Sequence, residues 1–231
     1  MKRWITLILL VLNTIFVNAQ QEGSTMFSKR IISRYEVLLG ANLISVTGSD
    51  HLEKYRIPKW GFRGGLSLIH TFSSRLELDA KITYENKGYR TRSYTENPGP
   101  PATDELVDDL TLSYITLSFL PRYSILPDQR IMVGVGPYIG WLTTVRVDQK
   151  LYFQDAFVSR FRRRFDAPWF YREIDLGASL MIGSNFMVGK SRPFTIQFLY
   201  SFGLRDAPKP SNGIFRNNTF SLLLGMSLQK Q

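Results

Sequence analysis

The sequence contains no cysteine and only two histidines, His51 and His70. Without cysteine the protein can form no disulfide, no thiolate nucleophile and no Cys-ligated metal site. It also lacks the thiol that carries the acyl chains of a lipoprotein. Two histidines supply too few nitrogen ligands for an ordinary zinc site. We therefore expect neither a metal site nor a bound cofactor.

Long apolar runs are also scarce. After the amino terminus, no segment approaches the roughly 20 consecutive apolar residues that a transmembrane helix needs. The one apolar run, from Trp4 to Val17, is too short to span a membrane, follows two basic residues and ends in a small-residue pattern at Ala19. These features are typical of a secretory signal peptide. The predicted organisation is a signal peptide over 1–19, a short periplasmic segment over 20–33 and one barrel domain over 34–231.

Positive charge is in excess. The formal net charge is +10, and loss of Lys2 and Arg3 with the signal peptide leaves 27 basic against 19 acidic residues, or +8. No segment matches a nucleic-acid-binding motif. For an exported basic protein we therefore expect anionic partners at a surface, namely outer-membrane lipid and lipopolysaccharide, and not nucleic acid.

The rest of the chain alternates polar and apolar residues with a period of two. From Ile131 to Trp141, large apolar residues such as Val133 and Val135 share one face, whereas Gly134 and Gly136 lie on the other. An apolar face opposite a small or polar face indicates a strand with lipid outside and polar protein inside. We expect the glycines to leave room for long polar side chains of neighbouring strands.

Eight such segments follow one another, and their connections alternate between short and long. The predicted long connections cover about 47–59, 91–108, 148–170 and 206–216. Aromatic residues cluster near both ends of the segments, as in interfacial belts. The predicted fold is all-β, an eight-stranded antiparallel up-and-down transmembrane β-barrel with short periplasmic turns and long extracellular loops. The fourth segment changes phase near Tyr114, which predicts a β-bulge there.

A second fold stays open at this point. A soluble periplasmic barrel of the lipocalin kind would contain the same alternating strands, but its apolar face would point inward around a ligand. The two folds therefore differ in the direction that the apolar face takes.

The polar face carries charges of both signs. We expect them to pair inside a barrel that its own side chains fill, which favours a structural interior over a catalytic one. No catalytic residue is predicted, although His70, with Ser73 and Ser74 nearby, keeps a lipid-modifying enzyme open, and a narrow pore also stays open. The charges predicted to face inward are Glu36, Arg63, Glu77, Asp79, Lys81, Glu85, Arg122, Arg130, Arg146, Glu173 and Asp175.

A run of arginines is the most suggestive candidate binding feature. Arg160, Arg162, Arg163 and Arg164 fall in the predicted connection over 148–170. At strand period, Arg160, Arg162 and Arg164 would share one face, with Arg163 on the other. If the segment lies just beyond the outer leaflet, the guanidinium groups could bind lipopolysaccharide phosphates bidentately. An ordinary exposed basic loop is the alternative.

Several fragments resemble a known family. They are VLLGAN at Val37–Asn42, YITLSFLPRY at Tyr114–Tyr123, GPYIGWL at Gly136–Leu142, FLYSFGL at Phe198–Leu204 and the terminal LLLGMSL. The chain is similar to the outer-membrane β-barrel domain family of Gram-negative bacteria that includes the PorT-like proteins. From the residues we expect a non-enzymatic, porin-like protein of the outer membrane with a structural or interaction role through its extracellular loops. The resemblance raises an alternative role as an accessory component of an outer-membrane secretion or assembly complex.

Overall fold

The computed structural model describes residues 33–48, 56–57, 59–96, 103–126, 131–153, 156–165, 171–188, 192–207 and 215–228. The predicted signal peptide and nearly all of the predicted 20–33 segment lie outside these residues. The described strands are β1 Ser33–Thr47, β2 Arg56–Ile57, β3 Lys59–Thr71, β4 Leu76–Glu96, β5 Thr103–Ser124, β6 Ile131–Phe153, β7 Ala156–Phe165, β8 Ile174–Val188, β9 Arg192–Gly203 and β10 Arg216–Ser227. No helix long and apolar enough to cross a membrane occurs among the described residues.

Eight of these strands form a closed ring. All pairings are antiparallel, in the order β4, β3, β1, β10, β9, β8, β6 and β5, and β5 pairs again with β4. The first and last strands meet through twelve register pairs, from Glu36–Ser227 to Thr47–Arg216. The two-residue β2 adds to β4, and β7 adds to β6, so neither belongs to the ring. The predicted eight-stranded up-and-down barrel is confirmed.

The apolar face of the ring points outward. Leu39, Leu66, Phe198 and Leu224 are each more than half exposed. Side chains of the opposite phase, such as Arg63, are buried inside. A soluble barrel with an apolar cavity would show the reverse arrangement, so the lipocalin alternative is wrong.

Two aromatic belts border this outward apolar face. We call the end that carries both barrel termini and the short turns the terminal end, and the opposite end the loop end. Trp60, Trp141 and Phe220 are exposed at the loop end, and Tyr35 and Phe72 are exposed at the terminal end. Rings at both edges of an apolar band are typical of membrane interfaces.

Two predicted loops are strands instead. The segment over 91–108 continues β4 and β5 as a paired ladder as far as Glu96–Thr103. Most of the segment over 148–170 forms the end of β6 and the whole of β7. The charged residues of both segments were wrongly interpreted as loop, because strands that extend beyond the apolar band can carry charges on a face that is apolar within it.

A β-bulge lies where β5 meets β6. Ser113 pairs with Thr144 and Tyr114 pairs with Leu142, so Thr143 is the extra residue. Its hydroxyl donates to the Ser113 carbonyl over 2.9 Å. The predicted irregularity near Tyr114 is observed as a shift in register, but the predicted change of phase in β5 is wrong, because its alternation is unbroken from Leu110 to Arg122 and the extra residue is on β6. It reverses the alternation of β6 beyond Leu142.

The reversal overturns one interior assignment. Val145 is buried after the bulge, whereas Arg146 is exposed on the outer face. The prediction that Arg146 marks the end of a charged interior is therefore wrong, because it assumed an uninterrupted period of two. Arg130, predicted to mark the other end, lies outside the described residues.

Candidate functional site

The barrel interior contains a network of buried ion pairs at the terminal end. Arg122 donates to Glu77 over 2.6 Å and to Asp79 over 3.1 Å. Lys81 lies 3.2 Å from Asp79 and donates to Gln197 over 2.6 Å. These side chains come from β4, β5 and β9, so the network connects opposite walls of the barrel.

A second network surrounds Lys87 nearer the loop end. Its ammonium group lies 2.8 Å from Asp175 and 3.1 Å from Glu85, and 4.2 Å from the ring centre of Tyr138. Glu85 also pairs with Arg63 over 3.0 Å. Every charge here has an opposite partner, as burial requires. The predicted interior of paired charges is thus observed.

Two assignments within this interior need correction. Glu173 is exposed, because it lies outside the start of β8, and only the next acidic residue, Asp175, reaches the interior. Lys87 is buried and was missed, because the third sequence segment was ended at Glu85. The strand in fact continues to Glu96, and extending the same alternation by two residues would have found Lys87.

Two apolar clusters also lie inside the barrel. The larger one occupies the loop end and contains Val46, Leu110, Leu112, Tyr114, Val145, Ala207 and Phe215. The smaller one contains Leu120, Met181, Leu199 and Leu223. Along β5, Thr116, which donates to Glu85 over 2.7 Å, separates the two clusters, and Arg122 follows the second. Apolar and charged layers therefore alternate along the interior.

A basic face lies outside the ring, on the paired ends of β6 and β7. Arg160 and Arg162 both donate to Asp148, which lies directly opposite Arg162. Arg164 lies opposite Arg146 on the same face. Three of the four predicted arginines therefore share a face, and Arg146 joins them there.

The fourth arginine is on the reverse face. The Arg163 guanidinium lies 4.6 Å from the ring centre of Phe161, and both side chains are exposed. The stack is a cation–π contact on the exposed side of the ribbon. Arg163 is therefore separated from the other three arginines, and any ligand that contacts all four would have to reach around the strand.

Further cations extend the outer face toward β4. Arg90 pairs with Asp109, and Arg92 pairs with Glu105 over 2.6 Å. Lys59 also donates to Asp109 and, over 2.7 Å, to the Leu110 carbonyl. These residues were missed because the sequence places them in or beside two separate predicted loops, over 47–59 and 91–108. The cross-strand register brings them together.

The carboxylates of this face are held in their charged form. Hydrogen bonds from Arg160 and then Arg162 place the pKa of Asp148 well below its ordinary value. Burial alone would raise the pKa of Asp109, but hydrogen bonding and charge from Lys59 and Arg90 lower it. Both carboxylates thus stay ionised and orient the arginine side chains around them.

His70, which kept a lipid-modifying enzyme open in the sequence, contacts one hydroxyl group and one aromatic ring. Its Nδ1 lies 3.1 Å from the hydroxyl of Ser33, and its ring packs edge-on against Phe72 with centres 4.8 Å apart. The Ser73 hydroxyl instead accepts from the backbone N–H of Leu76, which closes the β3–β4 turn. His70 is therefore not brought into contact with Ser73.

Comparisons with known proteins agree with this architecture. A family model described as an outer membrane protein beta-barrel domain matches residues 18–208. No curated protein is similar enough in sequence to count as a match.

Similar solved structures share little sequence with this chain. Ail of Yersinia pestis is 12% identical, with 85% of this chain and 99% of that chain covered and a TM-score of 0.41. The Neisserial surface protein A is 11% identical, with 83% and 95% covered and a TM-score of 0.37. OprG of Pseudomonas aeruginosa is 11% identical, with 85% and 96% covered and a TM-score of 0.34.

Proposed function

This chain belongs to the outer membrane protein β-barrel domain family, and on that premise we propose that it is a closed, non-enzymatic barrel that binds lipopolysaccharide through its basic loop-end face. The observation that carries the proposal is the arginine ladder of Arg160, Arg162 and Arg164 with Arg146. Guanidinium groups bind phosphate bidentately, and lipopolysaccharide is the anionic lipid of the outer leaflet.

The height of the ladder supports contact with the outer leaflet. Trp141 is exposed in the loop-end belt, and Arg146 follows it on the same strand. With a rise of about 3.3 Å per residue, a tilt near 45° and one bulge, Arg146 lies about 10 Å above the belt. The headgroup region extends about 5–8 Å beyond the apolar core, so an arginine side chain at that height can reach down to the lipid phosphates. The lowest rung, Arg146 opposite Arg164, is thus the best placed for phosphate.

The layered interior supports a closed barrel. The two apolar clusters lie at different heights. Polar contacts cross the interior from β4, with Lys87 pairing with Asp175 on β8 and Lys81 donating to Gln197 on β9. An ion crossing the interior would have to break buried pairs and pass both apolar layers, each of which has a high desolvation cost. We therefore propose that the protein does not conduct.

The test replaces Arg146, Arg162 and Arg164 with Ser and measures the lipopolysaccharide that co-purifies with the barrel. We expect the amount to fall severalfold, because three guanidinium groups of the ladder are lost. A triple Lys variant at the same positions serves as the control, since it retains the charge and loses only the bidentate geometry. Heat-modifiable gel mobility verifies that each variant is folded. Unchanged lipopolysaccharide in the Ser variant would overturn the proposal.

A second candidate function is an accessory role in an outer-membrane secretion or assembly complex, as in PorT-like proteins. The observation that favours it is strand β7, which pairs only with β6 among the described residues. Its Phe157, Val158 and Phe161 are exposed. A free strand edge with exposed apolar residues can accept a partner strand. A stoichiometric partner that is lost on Val158→Asp, with lipopolysaccharide retained, would favour this role.

We also propose that residues 1–19 are removed during export. The basic start, short apolar run and small residues before Gln20 support cleavage there. The mass of the intact protein from membranes tests it. A mature chain beginning at Gln20 is expected, and retention of Met1–Ala19 would contradict it.

A further inference from the structure

A groove lies on the outer face of the loop-end sheet, above the arginine rung nearest the belt. Its volume is about 500 Å³, and β4, β5, β6 and β7 all contribute to its lining. Arg92, Glu105, Val107, Lys150, Tyr152 and Arg160 are among the lining residues. The groove thus combines charged, aromatic and aliphatic side chains on one face.

We propose that this groove binds an acidic sugar of the lipopolysaccharide core oligosaccharide. The inference rests on the proposed function and deepens it, because it assigns a saccharide site above the phosphate contacts. The two contacts belong to different parts of one lipid, so each can be lost without the other.

Lys150 supplies the recognition of the acidic group. It is opposite Arg160 on β7 and Val107 on β5, and no carboxylate pairs with it among the described residues. The other cations of the lining are already paired, Arg90 with Asp109, Arg92 with Glu105 and Arg160 with Asp148. Among the described lining residues, Lys150 is therefore the cation that can pair with a sugar carboxylate or phosphate.

The paired side chains suit the hydroxyl groups of a sugar. Each guanidinium has five N–H donors and each carboxylate about four acceptor sites, so an ion pair leaves some of both unused. Arg92 is half-exposed at its side chain while Glu105 is largely buried, so the pair is held at the surface with free donors. Rigid donors and acceptors of this kind lose little entropy when a ligand binds.

Tyr152 supplies an apolar surface for the sugar ring. It packs against Phe157 across β6 and β7, with ring centres 5.8 Å apart and an interplanar angle of 72°. The contact restricts the rotation of Tyr152 and leaves it beside Lys150 in the groove. An aromatic ring next to a cation can contact the C–H face of a sugar while the cation binds its acidic group.

The height of the groove selects the core sugars over the lipid phosphates. By the same estimate that places Arg146 about 10 Å above the belt, Lys150 lies about 20 Å above it. The headgroup region of a bilayer extends only about 5–8 Å beyond its apolar core. A ligand in the groove is therefore above the lipid phosphates, where the oligosaccharide stands.

The experiment titrates the detergent-solubilised full-length barrel with core oligosaccharide released from lipopolysaccharide. We expect the wild type to bind it and Lys150→Ala to weaken binding at least about tenfold, since one charged hydrogen bond is worth about that factor. Tyr152→Ala should weaken it severalfold, because the apolar contact with the sugar ring is lost. Gln149→Ala is the matched control, because its side chain is on the reverse face of β6. It is expected to bind like the wild type.

Two further arms separate the outcomes. Vesicles containing lipid A without core sugars should bind the wild type and Lys150→Ala equally. No binding of core oligosaccharide, with lipid A binding intact, would overturn the groove assignment and leave the proposed function standing. Loss of lipid A binding in Lys150→Ala would place Lys150 at the phosphate instead and overturn the assignment. A soluble sulfated oligosaccharide that binds more tightly than the core would likewise overturn it.

Discussion

The guanidinium of Arg122 donates two hydrogen bonds to the Glu77 carboxylate, over 2.6 and 3.0 Å, between neighbouring strands inside the barrel. Both side chains are almost fully buried. Arg122 also binds Asp79, so one cation separates two carboxylates that would otherwise repel each other. The terminal end of the interior therefore depends on this residue.

We expect Arg122→Met to destabilise the barrel by about 3–5 kcal/mol, because it leaves buried carboxylates without their partner. Urea unfolding in detergent micelles, followed by heat-modifiable mobility, measures the change. Arg92→Met is the matched control, since Arg92 pairs with Glu105 at the surface and such a pair is worth about 0–1 kcal/mol. Equal losses of unfolding free energy in Arg122→Met and Arg92→Met would contradict the role of burial. Adding Glu77→Gln to Arg122→Met should recover part of the loss.

The β6–β7 ribbon provides a second prediction, which depends on Asp148. Replacing it with Asn removes the ion pairs that Arg160 and Arg162 make with it. We expect the ribbon to open more often, so that trypsin cleaves within Arg160–Arg164 several times faster. Glu173→Gln is the control, because Glu173 is an exposed acid outside the ribbon. Equal cleavage of the two variants would contradict the prediction.

The same ribbon should depend on pH in a defined direction. Hydrogen bonds from Arg160 lower the pKa of Asp148 from its ordinary value of 3.8. A lowered pKa means that the stabilisation is fully present above 3.8 and is lost only as the pH falls through the lower folded value. Amide-exchange protection of β7, corrected for intrinsic rates, should be equal at pH 7 and pH 5. A loss of protection between those two pH values would be inconsistent with the pairing.

A glycine of β6 provides a prediction about packing. A Cβ added to Gly136 would lie 1.8 Å from the Phe119 carbonyl oxygen, whereas at Gly134 the nearest atom would be 3.1 Å away. Gly136→Ala must therefore push β5 and β6 apart, and we expect it to cost more than about 2 kcal/mol of stability. Gly134→Ala, on the same face, should cost clearly less. Urea unfolding of the two variants makes the comparison, and the reverse order would contradict it.

The sequence predicted the barrel well because its alternation is imposed by the environment. Lipid outside and ion pairs inside require opposite side-chain chemistry on the two faces of each strand, so Leu39, Arg63 and Glu77 could all be assigned to the correct side. Beyond the lipid band this requirement ends. The outer parts of β4 to β7 carry charged residues among their apolar ones, and they were assigned to loops.

The candidate site was predicted only in part for the same reason. Arg160, Arg162 and Arg164 could be placed on one face from their spacing. The pairing of Arg160 and Arg162 with Asp148, and the addition of Arg146, follow from cross-strand register and from the bulge at Thr143. A strict alternation with a period of two predicts neither the pairing with Asp148 nor the addition of Arg146. The explanation of Gly136 also changed, because it makes room for the backbone of β5 and not for a polar side chain. Gly140 faces the side chains of Thr116, Tyr114 and Asp175, as expected.

Conductance provides a prediction about the interior. The wild-type barrel in a planar bilayer should show no single-channel currents, because apolar layers and ion pairs both block the interior. Leu112→Ser with Tyr114→Ser, which makes the loop-end cluster polar, should also stay closed, since Leu120, Met181, Leu199 and Leu223 remain in place. Regular currents from the wild type would contradict the closed interior. Currents from the double variant alone would show that the loop-end cluster is the layer that blocks ions.

The most direct test of the account is photo-crosslinking in intact cells from the two aromatic belts. Phe220 at the loop end and Phe72 at the terminal end are similarly exposed, at 55% and 60%, so they form a matched pair for replacement by p-benzoylphenylalanine. If the loop end meets the outer leaflet, position 220 will form adducts with lipopolysaccharide and position 72 with phospholipid only. Lipopolysaccharide adducts at position 72 and none at position 220 would contradict the account.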